Sequence, residues 1–276
     1  MKKIIFLALL IALIGAFQPA PKTWVAIGDS ITYLNDHKNE TGNRVTKGYL
    51  TAVTGQMPGW TYINQGHNGW TAVRIATEIE KLGLVKADLY TIFLGTNDWW
   101  GSKPVGTMQD YDGNTGVNTV CGAFRIIIDK LKSLNPDARI VLITPLQRAD
   151  FVYINNYKNN AFGSYREKNG QQLAQVADAI IAIGKREKLS VVDLYNEKKL
   201  SLPHLVRFKR LKDPQTGNYR EYPYPDFIDI PFNPETDEYP YPPAAINMTF
   251  DGLHPSDAGY KVITNKLLKV LRGKGN

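Results

Sequence analysis

The stretch Trp24-Val25-Ala26-Ile27-Gly28-Asp29-Ser30 decides the fold, because a short apolar run ends at a glycine and polar side chains follow at once. Comparable apolar runs recur at 61–64, 89–94, 139–144 and 191–194, each bounded by turn-forming residues. Short runs rich in β-branched residues are typical of strands that are buried on both faces of a sheet. The sequence therefore predicts five buried β-strands.

The segments between these runs carry apolar residues at spacings of three and four, which is the period of an amphipathic helix. Helices are predicted at 117–134, 173–181, 44–56, 70–82 and, with Ser256 as its N-cap, from 257 to about 271. Strands that alternate with helices form right-handed βαβ units. We therefore predict an α/β fold in which helices cover both faces of a five-stranded parallel sheet.

Two segments depart from this alternation. Residues 101–116 form a predicted polar loop after the third strand, and residues 200–248 form a long insertion between the fifth strand and the last helix. Within the insertion, the alternating runs 206–211 and 219–222 flank a turn and predict a β-hairpin. The residues after the hairpin, up to 243, are rich in proline and tyrosine, so we predict an extended arm rather than a helix.

The composition is that of an ordinary globular protein and excludes several other classes. The 276 residues are 43% hydrophobic and 21% charged, which excludes disorder, collagen and coiled coil. The formal net charge is +7, but the basic residues are scattered, whereas a nucleic-acid-binding protein concentrates them in a patch. We expect no nucleic-acid partner. Cys121 is the only cysteine, so the chain can form neither an intramolecular disulfide nor a four-cysteine zinc site.

The N-terminus has the three parts of a secretory signal peptide. The Lys2-Lys3 pair precedes an apolar run over residues 4–17, and residues 18–21 supply a small-residue exit. The run is shorter than the roughly 20 apolar residues that span a bilayer, and no cysteine follows it for lipid attachment. We expect residues 1–20 to be cleaved, leaving residues 21–276 as one exported domain, periplasmic or extracellular, without a stable membrane anchor.

Residues suited to acyl-transfer chemistry follow three of the strands. Ligands of open parallel sheets bind beyond the carboxyl ends of the strands, so the residues there are the first candidates for a site. Ser30 follows the first strand and offers a hydroxyl beside free backbone N–H groups. The glycine-bearing loop at 64–70 follows the second strand and can approach a ligand closely. Asn97 follows the third strand and offers a side-chain N–H donor.

The sequence Asp251-Gly252-Leu253-His254 precedes the last helix. A carboxylate three residues before a histidine can hold Nδ1–H while Nε2 faces a nucleophile, as in a serine triad. Each motif alone also has an ordinary reading as an N-capping serine, a glycine turn, an Asx turn or a histidine that caps its own turn. Their joint placement favours a serine hydrolase. No His-Glu-x-x-His or comparable spacing occurs, so we predict no metal site.

With these motifs in this order, the chain resembles the SGNH hydrolase superfamily, the GDSL-type esterases and lipases, from about residue 24 to residue 271. By this resemblance Ser30 matches the family nucleophile, and His254 with Asp251 matches the base and its carboxylate partner. Gly69 and Asn97 match the oxyanion-hole donors, together with the N–H of Ser30. The nucleophile lies near the N-terminus, and the sequence has no central Gly-x-Ser-x-Gly elbow.

The resemblance implies a three-layer α/β/α sandwich, flavodoxin-like, with strand order 2-1-3-4-5 and no cofactor. It also implies a mechanism in which the serine attacks an ester carbonyl, the histidine takes the serine proton and water clears the acyl-enzyme. The insertion at 200–248 departs from the family pattern. We expect it to wall one side of the cleft and to set substrate choice; the alternative is a structural brace.

Three tryptophans flank the predicted oxyanion donors: Trp70 follows Gly69, and Trp99-Trp100 follow Asn97-Asp98. Aromatic rings can stack on sugar rings or simply pack the wall of a site, and both readings stay open. We predict an exported serine esterase that removes short acyl groups, acetyl above all, from a carbohydrate. One alternative is a lipase or thioesterase-like hydrolase of longer acyl chains, and another is a non-catalytic glycan-binding module.

Overall fold

The computed structural model describes residues 20–273, so the predicted signal peptide lies outside the described residues except for Ala20. The strands and helices, in chain order, are β1 (Lys22–Gly28), α1 (Ser30–Tyr33), α2 (Tyr49–Thr54), β2 (Trp60–Gly66), α3 (Ala72–Thr77), β3 (Leu89–Phe93), α4 (Thr96–Trp100), α5 (Met108–Asp112), α6 (Val120–Leu134), β4 (Arg139–Ile143), β5 (Phe151–Tyr153), β6 (Asn156–Ala161), α7 (Leu173–Glu187), β7 (Ser190–Val192), α8 (Leu202–Leu205), β8 (Lys209–Lys212), β9 (Tyr219–Tyr222) and α9 (Asp257–Arg272). Short 3-10 turns occur at Lys38–Thr41, Lys198–Leu200 and Pro243–Ala245. Among the helices of residues 20–273, none combines the length and the apolarity that crossing a bilayer requires.

Five parallel strands form the central sheet in the order β2-β1-β3-β4-β7. This confirms the predicted order 2-1-3-4-5, since β7 is the fifth parallel strand along the chain. Gly28 at the end of β1 pairs with Gly66 of β2 on one side and with Phe93 of β3 on the other. The three strands therefore end at one level, and the segments that follow them meet at one edge of the sheet.

Alternate residues of β1 belong to two separate hydrophobic layers. Trp24 and Ala26 pack with α2 and α9 on one face, whereas Val25 and Ile27 pack with α3, α6 and α7 on the other. All four side chains are at most 1% exposed. A strand buried on both faces explains why its sequence is continuously apolar, and helices on both faces give the predicted three-layer α/β/α architecture.

Two predicted helices are shorter than the sequence pattern indicated. The helix predicted at 44–56 is confined to α2, and the one predicted at 70–82 is confined to α3. Gly48 and Thr71 are the N-caps of these helices, and both have extended backbone, so the residues before them are loop. In α3 the Thr71 side chain accepts the Arg74 N–H at 2.9 Å, which fixes the start of the helix.

The structure also contains elements that the sequence pattern did not reveal, among them a short helix and a β-hairpin. The segment 101–116, predicted as a loop, contains α5, whose capping box joins Thr107 and Asp110. The antiparallel hairpin β5–β6 follows β4, with Phe151 opposite Ala161. Polar residues dominate β6, so its alternation is too weak to stand out as a strand.

The insertion at 200–248 contains the predicted hairpin, but the segment after the hairpin packs into the core. Strands β8 and β9 form the predicted antiparallel hairpin, but β8 starts at Lys209, because Val206 pairs instead with Ile246. Residues 223–242, all of them described, contain neither helix nor strand. Phe227 and Tyr241 within this stretch are fully buried, so the arm is part of the hydrophobic core.

Candidate active site

Ser30 occupies the first position of α1, directly beyond the end of β1. The carboxylate of Asp29 caps this helix by accepting the Ile31 N–H at 3.0 Å. The N–H groups of a first helical turn have no acceptor within the helix, so the Ser30 N–H is available to a ligand. The turn therefore presents a hydroxyl and a free N–H at the edge of the sheet.

Ser30, His254 and Asp251 form a continuous hydrogen-bonded line. The Ser30 Oγ lies 2.8 Å from His254 Nε2, and His254 Nδ1 lies 2.7 Å from Asp251 Oδ2. The other carboxylate oxygen of Asp251 accepts the backbone N–H groups of Leu253 and His254 at 3.0 and 2.7 Å. With Nδ1–H donating to the carboxylate, Nε2 of a neutral imidazole is left to accept the serine proton.

Aromatic and backbone packing holds this line in place. The imidazole of His254 stacks on Phe250 and meets the edge of Phe151, with ring centroids 5.8 and 5.4 Å apart. Gly252, between the acid and the base, has φ +91°, and a Cβ there would lie 1.9 Å from the carbonyl oxygen of Asp150. Only glycine fits this position, so the Asp-Gly-Leu-His turn is sterically fixed.

Gly69 and Asn97 come together beside the same serine. Gly69 has φ +72°, and it lies in the loop between β2 and α3. The Asn97 side chain donates one N–H to the carbonyl oxygen of Trp70 at 3.1 Å, which orients the amide and leaves its second N–H free. The pair can therefore supply two N–H donors to an oxygen atom placed near Ser30.

Two further buried carboxylates lie beside these residues, and the sequence reasoning gave neither a role. Asp98 is fully buried and accepts the N–H groups of Ala72 and Val73 at 2.8 and 3.3 Å, which caps α3. Burial raises the pKa of Asp98 from 3.8 to about 6. Burial likewise raises the pKa of Asp29 to about 6, although its bond from Ile31 and the charge of His254 oppose the shift. The sequence signal for both carboxylates was their place beside a predicted site residue at a strand end: Asp29 precedes Ser30, and Asp98 follows Asn97.

One cavity of about 420 Å³ contains the predicted residues. Ser30, Gly69, Asn97 and His254 line it, and Asp251 is buried behind the histidine. The remaining walls are formed by Leu34, Glu40, Asn68, Thr71, Trp100, Gly101, Arg148, Phe151, Tyr153, Asn159, Ala161, Phe250 and Leu253. The cavity therefore brings together the residues predicted to act as nucleophile, base and N–H donors.

The three predicted tryptophans lie in three different places. Trp100 lines the cavity, whereas Trp99 is fully buried in the core and does not reach it. Trp99 faces the core and Trp100 faces the cavity because successive residues of a helix point in different directions. Trp70 does not line the cavity; its ring stacks on His67 with centroids 4.3 Å apart, and Arg74 lies over it at 4.1 Å. The tryptophans do not form one aromatic platform.

The insertion does not wall the cavity, so the expectation that it forms one side of the cleft is wrong. The β5–β6 hairpin takes that place and contributes Tyr153 and Asn159. The insertion packs behind the hairpin, where the Tyr239 hydroxyl donates to the Val152 carbonyl at 3.0 Å. The extended arm was predicted correctly as non-helical, but its aromatic side chains support the hairpin rather than face the substrate space.

Metal ligation has no evident place in the described part of the chain. Among residues 20–273, no three histidine, cysteine, aspartate or glutamate side chains converge in a way that could hold an ion. His37 stacks on Tyr33, and His204 bonds to Ser201, so these histidines make local contacts.

Comparisons with known proteins agree with this geometry. A sequence profile of the GDSL-like lipase/acylhydrolase family matches residues 26–262. No curated protein matches the chain. Among solved structures, a possible lipase from Chitinophaga pinensis is 60% identical with a TM-score of 0.90, and the match covers 91% of this chain and 98% of that one.

More distant structures share the fold. A protein from Lactobacillus plantarum is 20% identical with a TM-score of 0.59, covering 92% of this chain and 98% of that chain. An acetylxylan esterase from Geobacillus stearothermophilus is 17% identical with a TM-score of 0.51, covering 92% and 96%. At this identity the likeness concerns the arrangement of strands and helices.

Proposed function

Because this chain belongs to the GDSL-like lipase/acylhydrolase family and is a carboxylic ester hydrolase, we propose that Ser30 is its catalytic nucleophile. In this proposal the enzyme removes short acyl groups from a carbohydrate. The observation that carries the proposal is the hydrogen-bonded line from Ser30 through His254 to Asp251. Its three members act as nucleophile, general base and orienting carboxylate.

In the first half of the reaction, Ser30 Oγ attacks the ester carbonyl carbon while its proton passes to His254 Nε2. The carbonyl oxygen becomes an oxyanion, and the N–H groups of Ser30 and Gly69 and the free N–H of Asn97 donate to it. Asp251 stabilises the imidazolium that forms. The tetrahedral intermediate collapses when the alcohol leaves with the proton from His254, and the acyl group stays on Ser30.

In the second half, a water molecule repeats these steps on the acyl-enzyme. His254 takes a proton from the water as its oxygen attacks the acyl carbon, and the same donors hold the new oxyanion. Collapse returns the proton to Ser30 Oγ and releases the carboxylic acid. The cycle ends with the enzyme unchanged.

The burial of the cavity walls supports a short acyl group on a polar alcohol. Leu34, Phe250 and Leu253 are at most 6% exposed, so they form an apolar floor beside the histidine. Asn68 and Asn159 are exposed and line the same cavity, so they form a polar entrance. A small acyl group suits the floor, and amide side chains at the entrance can bond to sugar hydroxyls.

A second candidate function is hydrolysis of longer acyl chains, as in a lipase or a thioesterase-like hydrolase. The apolar floor favours it, and so does the 60% identity to the possible lipase from Chitinophaga pinensis. The two candidate functions differ in the length of the acyl chain that the cavity can hold. Export remains part of the proposal and rests on the signal-like sequence of residues 1–20.

A chain-length series tests these alternatives. The protein is assayed with 4-nitrophenyl esters from acetate to palmitate and with acetylated xylo-oligosaccharides, and labelling by a fluorophosphonate probe is followed in parallel. We expect the highest kcat/KM with acetate, release of acetate from the glycan, and covalent labelling at Ser30. A maximum at eight or more carbons would instead establish the lipase-like reading, and absence of labelling would remove Ser30 as the nucleophile.

A further inference from the structure

Arg148 is a buried cation in the wall of the active-site cavity. It follows β4, its side chain is 2% exposed, and it lines the cavity with Ser30 and His254. Its Nη2 donates to the carbonyl oxygen of Phe162 at 2.9 Å. Its Nε, which is buried, has no hydrogen-bond partner among residues 20–273. The guanidinium therefore retains donor capacity that the described protein does not use.

Neighbouring carboxylates offset the charge of Arg148 only from a distance. Within residues 20–273 it forms no ion pair closer than 4.0 Å. The acids whose charges act on it are Asp150, which pairs with Lys209 at 2.7 Å, and Asp251, which is hydrogen-bonded to His254 at 2.7 Å; neither lies within 4.0 Å of the guanidinium nitrogens. Burial lowers the pKa of Arg148 to about 10, so the side chain is still protonated at neutral pH.

A second cation reinforces this positive charge. The ring of Trp100, which lines the cavity, has the Arg148 guanidinium carbon 4.8 Å from its centroid and Lys168 Nζ 4.0 Å from it. Lys168 is half-buried and has no ion pair among the described residues. Stacking on an aromatic ring holds both side chains but leaves their charge uncancelled. Buried cations are normally paired, but Glu40, the carboxylate side chain in this cavity wall, accepts from the Tyr33 hydroxyl at 2.9 Å and forms no ion pair with either cation.

We propose that Arg148 forms a subsite for a carboxylate on the ester substrate, with Lys168 adding to its positive field. This inference rests on the proposed esterase function and narrows its substrate to esters that carry a negative charge near the scissile bond. A carboxylate placed there would accept the unused N–H donors of the guanidinium and neutralise the buried charge. The carboxylate can belong to the acyl group, as in a half-ester of a dicarboxylic acid, or to the alcohol, as in an acidic sugar.

Two matched substrate pairs separate these sources. The acyl arm compares 4-nitrophenyl hemiadipate with 4-nitrophenyl hexanoate, and the alcohol arm compares acetylated methyl glucuronoside with acetylated methyl glucoside. In one arm we expect the wild-type kcat/KM to be about tenfold higher for the charged member, which is the range of a charge-assisted hydrogen bond. The arm that shows the preference identifies the part of the substrate that carries the carboxylate.

Arg148→Gln should lose that preference, so that the charged and neutral members react at ratios near one. Lys168→Gln should lower the preference about threefold, and it serves as the second variant if Arg148→Gln does not fold by circular dichroism. The control is Lys86→Gln, which removes one exposed positive charge before β3, at the opposite edge of the sheet, and should leave the preference unchanged.

The proposal is overturned if the wild type prefers neither charged substrate, or if the preference survives in the folded Arg148→Gln protein. With a misfolded Arg148→Gln protein, equal preferences in the Lys168→Gln and Lys86→Gln variants overturn it. These results leave the esterase function standing as long as 4-nitrophenyl acetate is hydrolysed and Ser30 is labelled. Loss of both readouts in the wild type would refute the esterase function itself.

Discussion

The carboxylate of Asp98 accepts the backbone N–H of Ala72 at 2.8 Å, although the two residues lie in different helices. Asp98 follows Asn97 directly, and Ala72 is three residues beyond Gly69. The bond therefore ties together the two segments that carry the proposed oxyanion donors. Such a link has a free-energy cost, because burying a carboxylate removes its charge from water.

Asp98 should make the protein less stable as the pH rises. Its pKa is 3.8 when unfolded and about 6 when folded, so between these values the folded state binds more protons than the unfolded state. The free energy of unfolding then falls with rising pH, by about 3 kcal/mol for a shift of two pKa units. We expect the unfolding free energy of Asp98→Asn, relative to that of the wild type, to rise by this amount between pH 4 and pH 7.

Urea unfolding at a series of pH values measures this effect. Asp137→Asn is the control, because Asp137 is exposed on the loop before β4 and its removal leaves every buried carboxylate in place. A difference between wild type and Asp98→Asn that stays constant across the range would show that the carboxyl titrates normally.

Ser30→Ala and His254→Ala should each abolish ester hydrolysis and leave the fold intact. The two groups act as one unit across their 2.8 Å hydrogen bond, so the double variant should lose no more than either single one. Steady-state kinetics and fluorophosphonate labelling measure the loss, with Ser133→Ala, an exposed serine on α6, as control. More than a few per cent of wild-type turnover in Ser30→Ala would contradict the mechanism.

Asn97→Ala should lower kcat by roughly 10²–10³-fold and change KM little, because an oxyanion donor acts mainly in the transition state. The Trp70 carbonyl already orients the amide, so no rearrangement is needed when the substrate binds. Kinetics with 4-nitrophenyl acetate measure both constants. A defect confined to KM would make Asn97 a contact of the bound substrate instead.

The buried pair between Lys209 and Asp150 should be a major attachment of the insertion. Their side chains are 4% and 15% exposed and lie 2.7 Å apart, so Lys209→Met leaves a buried carboxylate without its cation. We expect a loss of about 3–5 kcal/mol in unfolding free energy. Lys212→Met is a matched control on the same strand, since Lys212 is 38% exposed and its pair with Asp237, screened by solvent, should contribute much less to stability. Equal losses of unfolding free energy in the two variants would show that the Lys209–Asp150 pair is not a major attachment of the insertion.

The hairpin β5–β6, rather than the insertion, should determine how a large substrate binds. Asn159→Ala should raise KM for an acetylated oligosaccharide more than for 4-nitrophenyl acetate, which needs only the residues around Ser30. Asn160→Ala is the control, because successive residues of a strand point to opposite faces and Asn160 does not line the cavity. A parallel rise in KM for both substrates would show that Asn159 has no part in selectivity.

The strand ends were the most predictable part of the molecule. Residues buried on both faces leave a continuous apolar signal, and the register of β1 with β2 and β3 then brings Ser30, the glycine loop and Asn97 to one edge. The same reasoning placed His254 before the last helix. These predictions depend on local sequence and on a regular topology, and both hold here.

The walls of the cavity were not predictable in the same way. Strand β6, which contributes Asn159, is mostly polar, so it leaves no clear period in the sequence. Trp99 and Trp100 are adjacent, yet one is core and the other faces the cavity, which depends on how α4 is rotated against the sheet. Arg148 could not be recognised, because nothing in its sequence neighbourhood indicates that it is buried.

The hydrogen bond between Ser30 and His254 joins residues that are 224 positions apart in the chain. During synthesis the ribosome delivers the serine first and the histidine only after almost the whole domain has emerged. Four of the five strands of the central sheet, β2, β3, β4 and β7, lie between them, so the pair can close only once that sheet has assembled. A contact of such long range is costly to form early in folding. With Ser30 and His254 as the proposed nucleophile and base, catalytic competence is acquired last, and ester hydrolysis should report the completion of folding rather than the presence of a folded first half.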